Sequence, residues 1–296
     1  MKSAGQLSKA AAAWLLVLCA GSALATQPYH VGDKLNGTSL DEAITQTSEK
    51  LQGAGFTVVG THRPNGVADH AVVVATDAAM LDAIRGTGGA VVAGAGIRVG
   101  IKADGTLTYM NPDYWYRAYF RDDFSAVEAT VKALDGRLQA ALGNTGDMGG
   151  DVDEEDLADY NYMMGMEQFD DDTLLTEAAS FDAAVKTIQD NLAAGVGQTA
   201  KVYEIILPEQ QIAVFGVAFN DPERGEGWWI NKIGTDNIAG LPYEMFVVGK
   251  ESHAMFARYR LAIAWPSLGM GTFMGISKAP RIIYDTLFAV AGGVDD

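Results

Sequence analysis

The strongest indication of the fold is the run Ile97-Arg98-Val99-Gly100-Ile101-Lys102-Ala103-Asp104-Gly105-Thr106-Leu107-Thr108-Tyr109-Met110. An Asp-Gly pair between two strand-like runs is typical of a tight hairpin turn, because both positions accept a positive φ. We therefore predict antiparallel strands over residues 97–101 and 106–110. The return strand should end at Asn111-Pro112, since proline cannot donate a ladder hydrogen bond.

A second hairpin is predicted later in the chain. Residues 243–248 form its first strand, the chain turns near residues 249–252, and a return strand runs along residues 256–265 to Pro266. Two strand-like runs precede each hairpin. They are residues 56–59 and 71–75 before the first hairpin, and residues 202–207 and 212–219 before the second.

Helices are predicted at both ends of each half. Ser39 and Ser180 are placed to cap opening helices of similar sequence, and Glu42 completes a capping box in the first. Apolar residues recur at helical spacing in the second of these, namely Phe181, Ala184, Val185, Ile188 and Leu192. A closing helix ends at Gly143 in the first half, and another begins at Pro280 in the second.

This order of elements predicts an α+β fold. Each half has the order helix, strand, strand, hairpin, helix. We therefore expect two tandem copies of a small α/β sandwich with a mainly antiparallel sheet and helices on one face. The copies cover residues 37–143 and 174–293. Residues 144–173 are rich in Asp and Glu and are predicted to be an acidic inter-domain linker with a packed middle over residues 160–169.

The second half resembles the bacterial domain of unknown function 302 family. The resemblance rests on Phe219-Asn220-Asp221-Pro222, on Gly240-Leu241-Pro242-Tyr243-Glu244 and on the closing Trp265-Pro266. The first half shares the hairpin and Asn111-Pro112 but has Ala95-Gly96-Ile97 in place of the Leu-Pro element. The resemblance implies an α+β fold and possible homo-oligomers, and it brings no activity and no catalytic residues.

The N-terminus predicts a signal peptide over residues 1–25. Lys2 and Lys9 precede a short apolar run, and Ala23-Leu24-Ala25 offers small residues to signal peptidase, so cleavage is expected between Ala25 and Thr26. A lipid anchor on Cys19 is the alternative, although Leu18 is large for the position before such a cysteine. We therefore expect an exported soluble protein, periplasmic or secreted.

Composition excludes several classes of partner. The formal net charge is −17, so phosphate backbones and anionic lipid surfaces repel the chain, and neither nucleic-acid binding nor membrane insertion after cleavage is expected. The only cysteine is Cys19, which leaves no thiol ligand in the processed chain.

No cofactor or metal is assigned from the sequence. Asp151, Asp153 and Glu155 mimic the start of a calcium loop, but Asp156 and Tyr162 stand where glycine and glutamate are needed. Three features keep metal handling open as an alternative, because thioethers suit Cu(I) and imidazoles suit several metals. They are Met163-Met164-Gly165-Met166, the pair Met270 and Met274, and the pair His62 and His70.

Two groups of residues are the candidate site. Tyr114, Trp115, Trp228 and Trp229 could stack on a ligand or anchor an interface where the two halves meet. Arg258 and Arg260 are expected on one face of the last predicted strand, opposite Glu244, as an ion pair or an anion pocket.

The sequence favours a non-enzymatic protein that binds a small ligand or a protein partner. The first alternative is an enzyme of unrecognised acid–base chemistry that uses Glu244 with an arginine. The second is a periplasmic metal-handling protein.

Overall fold

The computed structural model describes residues 24–36 and 39–294. Most of the predicted signal peptide lies outside these residues, so export and cleavage stay predictions. Ala25 and Thr26, which flank the predicted cleavage site, form a two-residue strand that pairs with Val152–Asp153. Among the described residues, no helix combines the length and the apolar character needed to span a membrane.

The described strands form two large antiparallel sheets and one short ribbon. In chain order they are β1 Ala25–Thr26, β2 Tyr29–Val31, β3 Thr57–His62, β4 His70–Thr76, β5 Ile97–Lys102, β6 Leu107–Met110, β7 Gly146–Met148, β8 Val152–Asp153, β9 Thr173–Glu177, β10 Thr199–Leu207, β11 Ile212–Phe219, β12 Tyr243–Val248 and β13 Glu251–Ala254. The first sheet has the order β3-β4-β5-β6-β2-β7, the second has the order β10-β11-β12-β13-β9, and β1 pairs with β8.

The helices lie between and after these strands. In chain order they are α1 Leu40–Gly53, α2 Ala78–Thr87, α3 Pro112–Phe120, α4 Phe124–Leu142, α5 Phe181–Ala193, α6 Glu226–Ile233, α7 Ala257–Ala264, α8 Met270–Met274 and α9 Ala279–Val290. Antiparallel sheets joined to a large helical content make this an α+β fold, as the sequence predicts.

The two halves share the order of their elements. A short strand and a helix come first, two paired strands follow, and a hairpin then leads into a helix. In both sheets the opening strand pairs with the last strand of the hairpin, as β2 does with β6 and β9 does with β13. Descent from a duplicated unit stays a prediction, which superposition of residues 37–143 on 174–293 would check.

Local signals explain the elements that the sequence predicts. Ser39 and Glu42 form the reciprocal capping box of α1, and the Ser180 hydroxyl accepts a hydrogen bond from the Ala183 amide at the start of α5. The hairpin of β5 and β6 turns at Asp104-Gly105, where Gly105 has a φ of 86°. These segments need little help from distant contacts, because caps and turns satisfy their own backbone groups.

The prediction for the second hairpin is wrong beyond its turn. Val248 pairs with Glu251, so the chain turns over Gly249-Lys250 and the return strand is the short β13. Residues 256–265, predicted to be the return strand, instead contain helix α7. Residues 258 and 260 are therefore about 200° apart around a helix and do not share a face.

The sequence interpretation also missed helix α3. Tyr114, Trp115, Tyr116 and Tyr119 give no strand or helix pattern that we recognise, yet all four belong to this helix. Asn111 caps its N-terminus and Pro112 occupies its first turn, which is a helix-start signature that the sequence carries. All four aromatic side chains are buried.

The acidic segment, residues 144–173, is packed rather than a free linker. Its strand β7 extends the first sheet through β2, and β8 pairs with β1. Leu157, Tyr160 and Phe169 are buried, in agreement with the expected packed middle. Phe169 packs against Tyr119 of the first half and Tyr259 of the second, so the segment contacts both halves.

The two halves cover each other's sheets. The short 3-10 helix Gly89–Ala95 of the first half contacts β11 and β12, and its counterpart Ile238–Gly240 of the second half contacts β4, β5 and β6. This approach is close at Gly100, where an added Cβ would lie 2.5 Å from the Ile238 Cγ2 atom. The strands facing this contact are therefore buried on both sides.

Candidate functional site

A cavity of about 270 Å³ lies between the acidic segment and helices α7 and α8. Three methionines contribute to its wall, Met163 and Met166 from the acidic segment and Met270 from α8. The remaining lining residues are aromatic or apolar apart from one arginine, and they are Tyr160, Tyr162, Arg258, Ala262, Trp265, Pro266, Leu268 and Phe273. We call this space the methionine cavity.

A second cavity of about 480 Å³ adjoins it. Its wall comes mainly from β9, the start of α7 and α9 and is largely apolar, with Leu175, Met255 and Ile283 among its members. Arg258 and Phe273 line both cavities. We call this second space the α9 cavity, and the two together the groove.

The charged residues among those that line the groove are all cationic. Arg258 is the charged residue of the methionine cavity, and Arg258 and Arg281 are those of the α9 cavity. Each arginine has a carboxylate partner that does not line the groove, Glu167 for Arg258 and Asp285 for Arg281, in a chain whose net charge is −17. An apolar space whose charged lining residues are arginines suits a ligand with an apolar body and an anionic group that can take the place of one of these carboxylates.

The acidic segment is held over the groove by an ion pair. The Arg258 guanidinium donates to the Glu167 carboxylate, and the Tyr162 hydroxyl donates to the other oxygen of Glu167 at 2.7 Å. Partial burial opposes ionisation of Glu167, but the bond from Tyr162 and the Arg258 charge outweigh it, so the Glu167 pKa lies below its usual value. The Tyr160 hydroxyl adds a bond of 3.3 Å to the Ala262 carbonyl.

Four methionines near this cavity are also exposed. Met163 is 40% exposed, Met164 96%, Met270 56% and Met274 61%. Methionine adapts its shape to different apolar partners, and exposed apolar clusters mark binding surfaces more often than chance. The groove therefore opens onto a surface that is itself apolar.

Glu244 and Arg260 lie elsewhere, at the centre of the contact between the halves. Glu244 accepts from Arg260 Nε at 2.8 Å and from Arg98, a residue of β5 that the sequence interpretation did not select. All three side chains have 1% exposure or less. The enzyme alternative finds no support in this geometry, because a carboxylate enclosed by two guanidinium groups cannot reach a substrate.

The two arginines also donate to backbone carbonyls and lie over an aromatic ring. Arg98 Nε donates to the Ala239 carbonyl at 3.0 Å, and Arg260 Nη2 donates to the Gly240 carbonyl at 2.7 Å. Both guanidinium groups lie over the Trp115 ring, at 4.6 and 5.3 Å from its centroid. Burial opposes the charged form of each arginine, but Glu244 outweighs it and holds both pKa values above their usual range.

Three of the four aromatic residues selected from the sequence are fully buried, and two of these lie at the contact between the halves. Tyr114 and Trp115 are fully buried, and the Tyr114 hydroxyl crosses to the second half, where it donates to the Ile263 carbonyl at 3.0 Å. Trp229 is also fully buried, against Phe219. Trp228 is partly exposed, with the Lys232 ammonium 4.1 Å above its ring. Arg258 is thus the one selected residue that we place in the groove.

The histidines do not form a shared site. His62 Nε2 lies 2.6 Å from Glu226 in a buried pair between the halves, and the His70 ring donates to the Ala68 carbonyl at 2.5 Å. Within residues 24–36 and 39–294, no group of three or more His, Cys, Asp or Glu side chains is arranged to hold a metal ion. The methionines of the groove therefore remain the candidate soft-metal ligands.

Comparison with known proteins adds no relative. No family model, no curated protein and no solved structure matches the chain. The resemblance to the domain of unknown function 302 family stays a prediction that rests on its short motifs.

Proposed function

We propose that this protein is an exported binding protein for a small amphiphile with an apolar body and an anionic group. The groove is the binding site, with the methionines and aromatic side chains against the apolar body. Arg258 is the group that meets the anion. The observation that carries this proposal is the charge of the groove, whose lining residues include arginines and no carboxylate in an acidic protein.

The position of Arg258 supports this assignment. It lies where the two cavities meet, and its present partner is Glu167 on the acidic segment. A ligand carboxylate or sulfonate that bonds to Arg258 would take the place of Glu167, and the acidic segment would adjust around the bound molecule. Exchange of one carboxylate for another keeps the guanidinium paired throughout.

Dodecanoate is a suitable probe, with dodecanol as its uncharged counterpart. Trp265 lines the methionine cavity, so tryptophan fluorescence should change on binding. We expect dodecanoate to bind with much higher affinity than dodecanol. Substitution Arg258→Met keeps the apolar stem and should weaken dodecanoate binding by about 10- to 100-fold, the equivalent of one charge-assisted hydrogen bond.

Arg85→Met is the matched control. Arg85 has a carboxylate partner in Asp82 and a side-chain exposure of 39%, close to the 37% of Arg258, but it lies on α2 away from the groove. Its variant should bind dodecanoate as the unmodified protein does. Equal affinity of the Arg258→Met protein, or equal binding of dodecanol and dodecanoate, would contradict the proposal.

A soft metal ion is the second candidate, favoured by one observation. Met163, Met166 and Met270 come from two separate segments and line the same cavity. Thioethers select Cu(I) over harder cations. Competition of the protein against a coloured Cu(I) chelator should show uptake that the triple leucine variant of these residues loses and that Met274→Leu keeps. Absence of uptake would leave the amphiphile as the single proposal for the groove.

A further inference from the structure

The exposed methionines of this protein are clustered at the groove. In the part of the chain that the structure describes, they occur in two segments, residues 163–166 and helix α8, and they are Met163, Met164, Met270 and Met274. Methionines elsewhere in the fold with 1% exposure or less are Met80, Met110, Met245 and Met255. The methionine side chains most open to solvent are thus concentrated at one site.

A tight turn organises the first of these segments. The Met166 amide donates to the Met163 carbonyl at 3.0 Å, which closes a four-residue turn. Gly165 has a φ of 77°, the positive value found at the third position of a type II turn. The two ends of the turn, Met163 and Met166, line the methionine cavity, while Met164 between them is 96% exposed. One turn therefore carries both cavity-lining and freely accessible thioethers.

Helix α8 supplies the second pair of exposed methionines. Met270 and Met274 are four residues apart, so they are neighbours on one face of the helix. Met270 lines the methionine cavity, whereas Met274 does not. Each segment thus provides one methionine that is both accessible and part of the cavity wall, Met163 or Met270, and one that is accessible only, Met164 or Met274.

An accessible thioether sulfur reacts with peroxides. Its lone pair attacks one oxygen of hydrogen peroxide, the S–O bond forms as the O–O bond breaks, and the departing hydroxide takes the remaining proton and leaves as water. The sulfur is oxidised by two electrons to the sulfoxide, and the peroxide is reduced. The sulfoxide is polar, and a methionine sulfoxide reductase returns it to the thioether.

We propose that Met163 and Met270 are peroxide-sensitive modification sites, and that their conversion to sulfoxides lowers the affinity of the groove for its amphiphile. This inference rests on the proposed binding function. A sulfoxide at either position places a polar oxygen against the apolar body of the ligand, and burial of a polar group without a hydrogen-bond partner opposes binding. Peroxides thus regulate the same site that binds the ligand.

Peptide mass spectrometry of the folded full chain, treated with hydrogen peroxide for increasing times, tests the modification. We expect Met163 and Met270 to be oxidised about 10-fold or more faster than the buried Met110 and Met245, because oxidation follows the access of the reagent to the sulfur. Oxidation of Met163 and Met270 as slow as that of the buried methionines would overturn the proposal.

Equilibrium dialysis with dodecanoate tests the consequence for binding. Protein in which Met163 and Met270 are oxidised should bind dodecanoate about 10-fold more weakly than untreated protein. Treatment with a methionine sulfoxide reductase should restore the affinity, which would identify methionine rather than the cavity residue Trp265 as the oxidised group responsible. A loss of affinity that the reductase does not reverse would contradict the proposal.

Two double variants separate the cavity methionines from those that are only accessible. The Met163→Leu, Met270→Leu protein should have the same dodecanoate affinity before and after peroxide treatment, because leucine has no sulfur to oxidise. The matched Met164→Leu, Met274→Leu protein should lose affinity on treatment as the unmodified chain does. Peroxide sensitivity that persists in the first variant, or disappears in the second, would assign the effect to other residues and overturn the proposal.

The same binding measurements separate failure of this inference from failure of the proposed function. If the unmodified chain binds dodecanoate equally well before and after oxidation of Met163 and Met270, this inference alone is wrong. If the untreated chain does not bind dodecanoate, the proposed function is wrong and this inference fails with it.

Discussion

Arg98 in the first half and Glu244 in the second half form an ion pair from which solvent is excluded, and Arg260 completes the cluster from helix α7. Glu244 is 146 positions from Arg98 and 16 from Arg260, so their contact exists only when both sheets are formed and the halves have docked. The cluster therefore ties the folding of one half to that of the other.

Glu244→Gln should destabilise the protein strongly. The amide leaves two buried guanidinium groups without a counterion, and loss of one partner from a buried ion pair costs about 3–5 kcal/mol. Urea unfolding measures the free energy. Glu209→Gln, which changes an exposed carboxylate, is the control and should stay within about 0.5 kcal/mol of the unmodified protein. A loss of less than about 1 kcal/mol in the free energy of unfolding of Glu244→Gln would contradict a role of the cluster in holding the two halves together.

Trp228 and Trp229 should differ sharply when each is replaced by alanine. Trp229 is fully buried against Phe219, so its truncation should cost about 3–5 kcal/mol. Trp228 is partly exposed beside Lys232, and its truncation should cost about 1 kcal/mol or less. Equal losses in thermal or urea unfolding would show that Trp228 has a packing role we have not recognised.

Glu167→Gln should loosen the acidic segment. The substitution weakens the bonds to Arg258 and Tyr162 that hold residues 160–169 over the groove. Hydrogen exchange in this segment should become faster while α5 and the second sheet stay protected. Glu155→Gln, an exposed acid of the same segment, is the control and should leave exchange unchanged. Unchanged exchange in the Glu167→Gln protein would show that the ion pair does not hold the segment.

His30 should make stability depend on pH. Burial opposes its protonation, but its ring bonds to Asp147 at 2.5 Å and lies 3.2 Å from Asp135, and together they raise its pKa above 6.5. A raised folded-state pKa contributes stability that is complete below the unfolded value of about 6.5 and disappears as the pH rises through the folded value.

Urea unfolding at pH values of about 6 and about 9 measures this effect, because the two lie on either side of the histidine titration. The unmodified chain should lose stability over this range, and His30→Gln should lose less of it. His253, whose pKa is raised mainly by Asp172 against burial, contributes in the same direction, so His253→Gln serves as the comparison. If the stability of the His30→Gln protein kept the full pH dependence, the contribution of His30 would be contradicted and the effect would be assigned to His253.

Within the site, the sequence identifies some residues and misses others. Arg258 and the methionines stand out in the sequence, but the cavities arise from three segments, and their proximity cannot be read from the order of the chain. Arg98 is overlooked, although a charged residue inside the otherwise uncharged run Ile97–Ile101 is a signal that a central strand contains a buried ion.

The sequence alone determined the helices and turns whose conformation is set by neighbouring residues. The Asp104-Gly105 turn, the serine caps of α1 and α5 and the apolar stripe of α5 are each set by neighbouring residues, and each is predicted correctly. The tertiary structure decided what α7 became. Polar and apolar residues alternate in α7 as they would in a strand. Most of α7 is buried, however, and a helix pairs the backbone groups of a buried segment within the segment itself. It also decided that the acidic segment packs and that Arg98, Glu244 and Arg260 meet, because both outcomes depend on burial supplied by the other half.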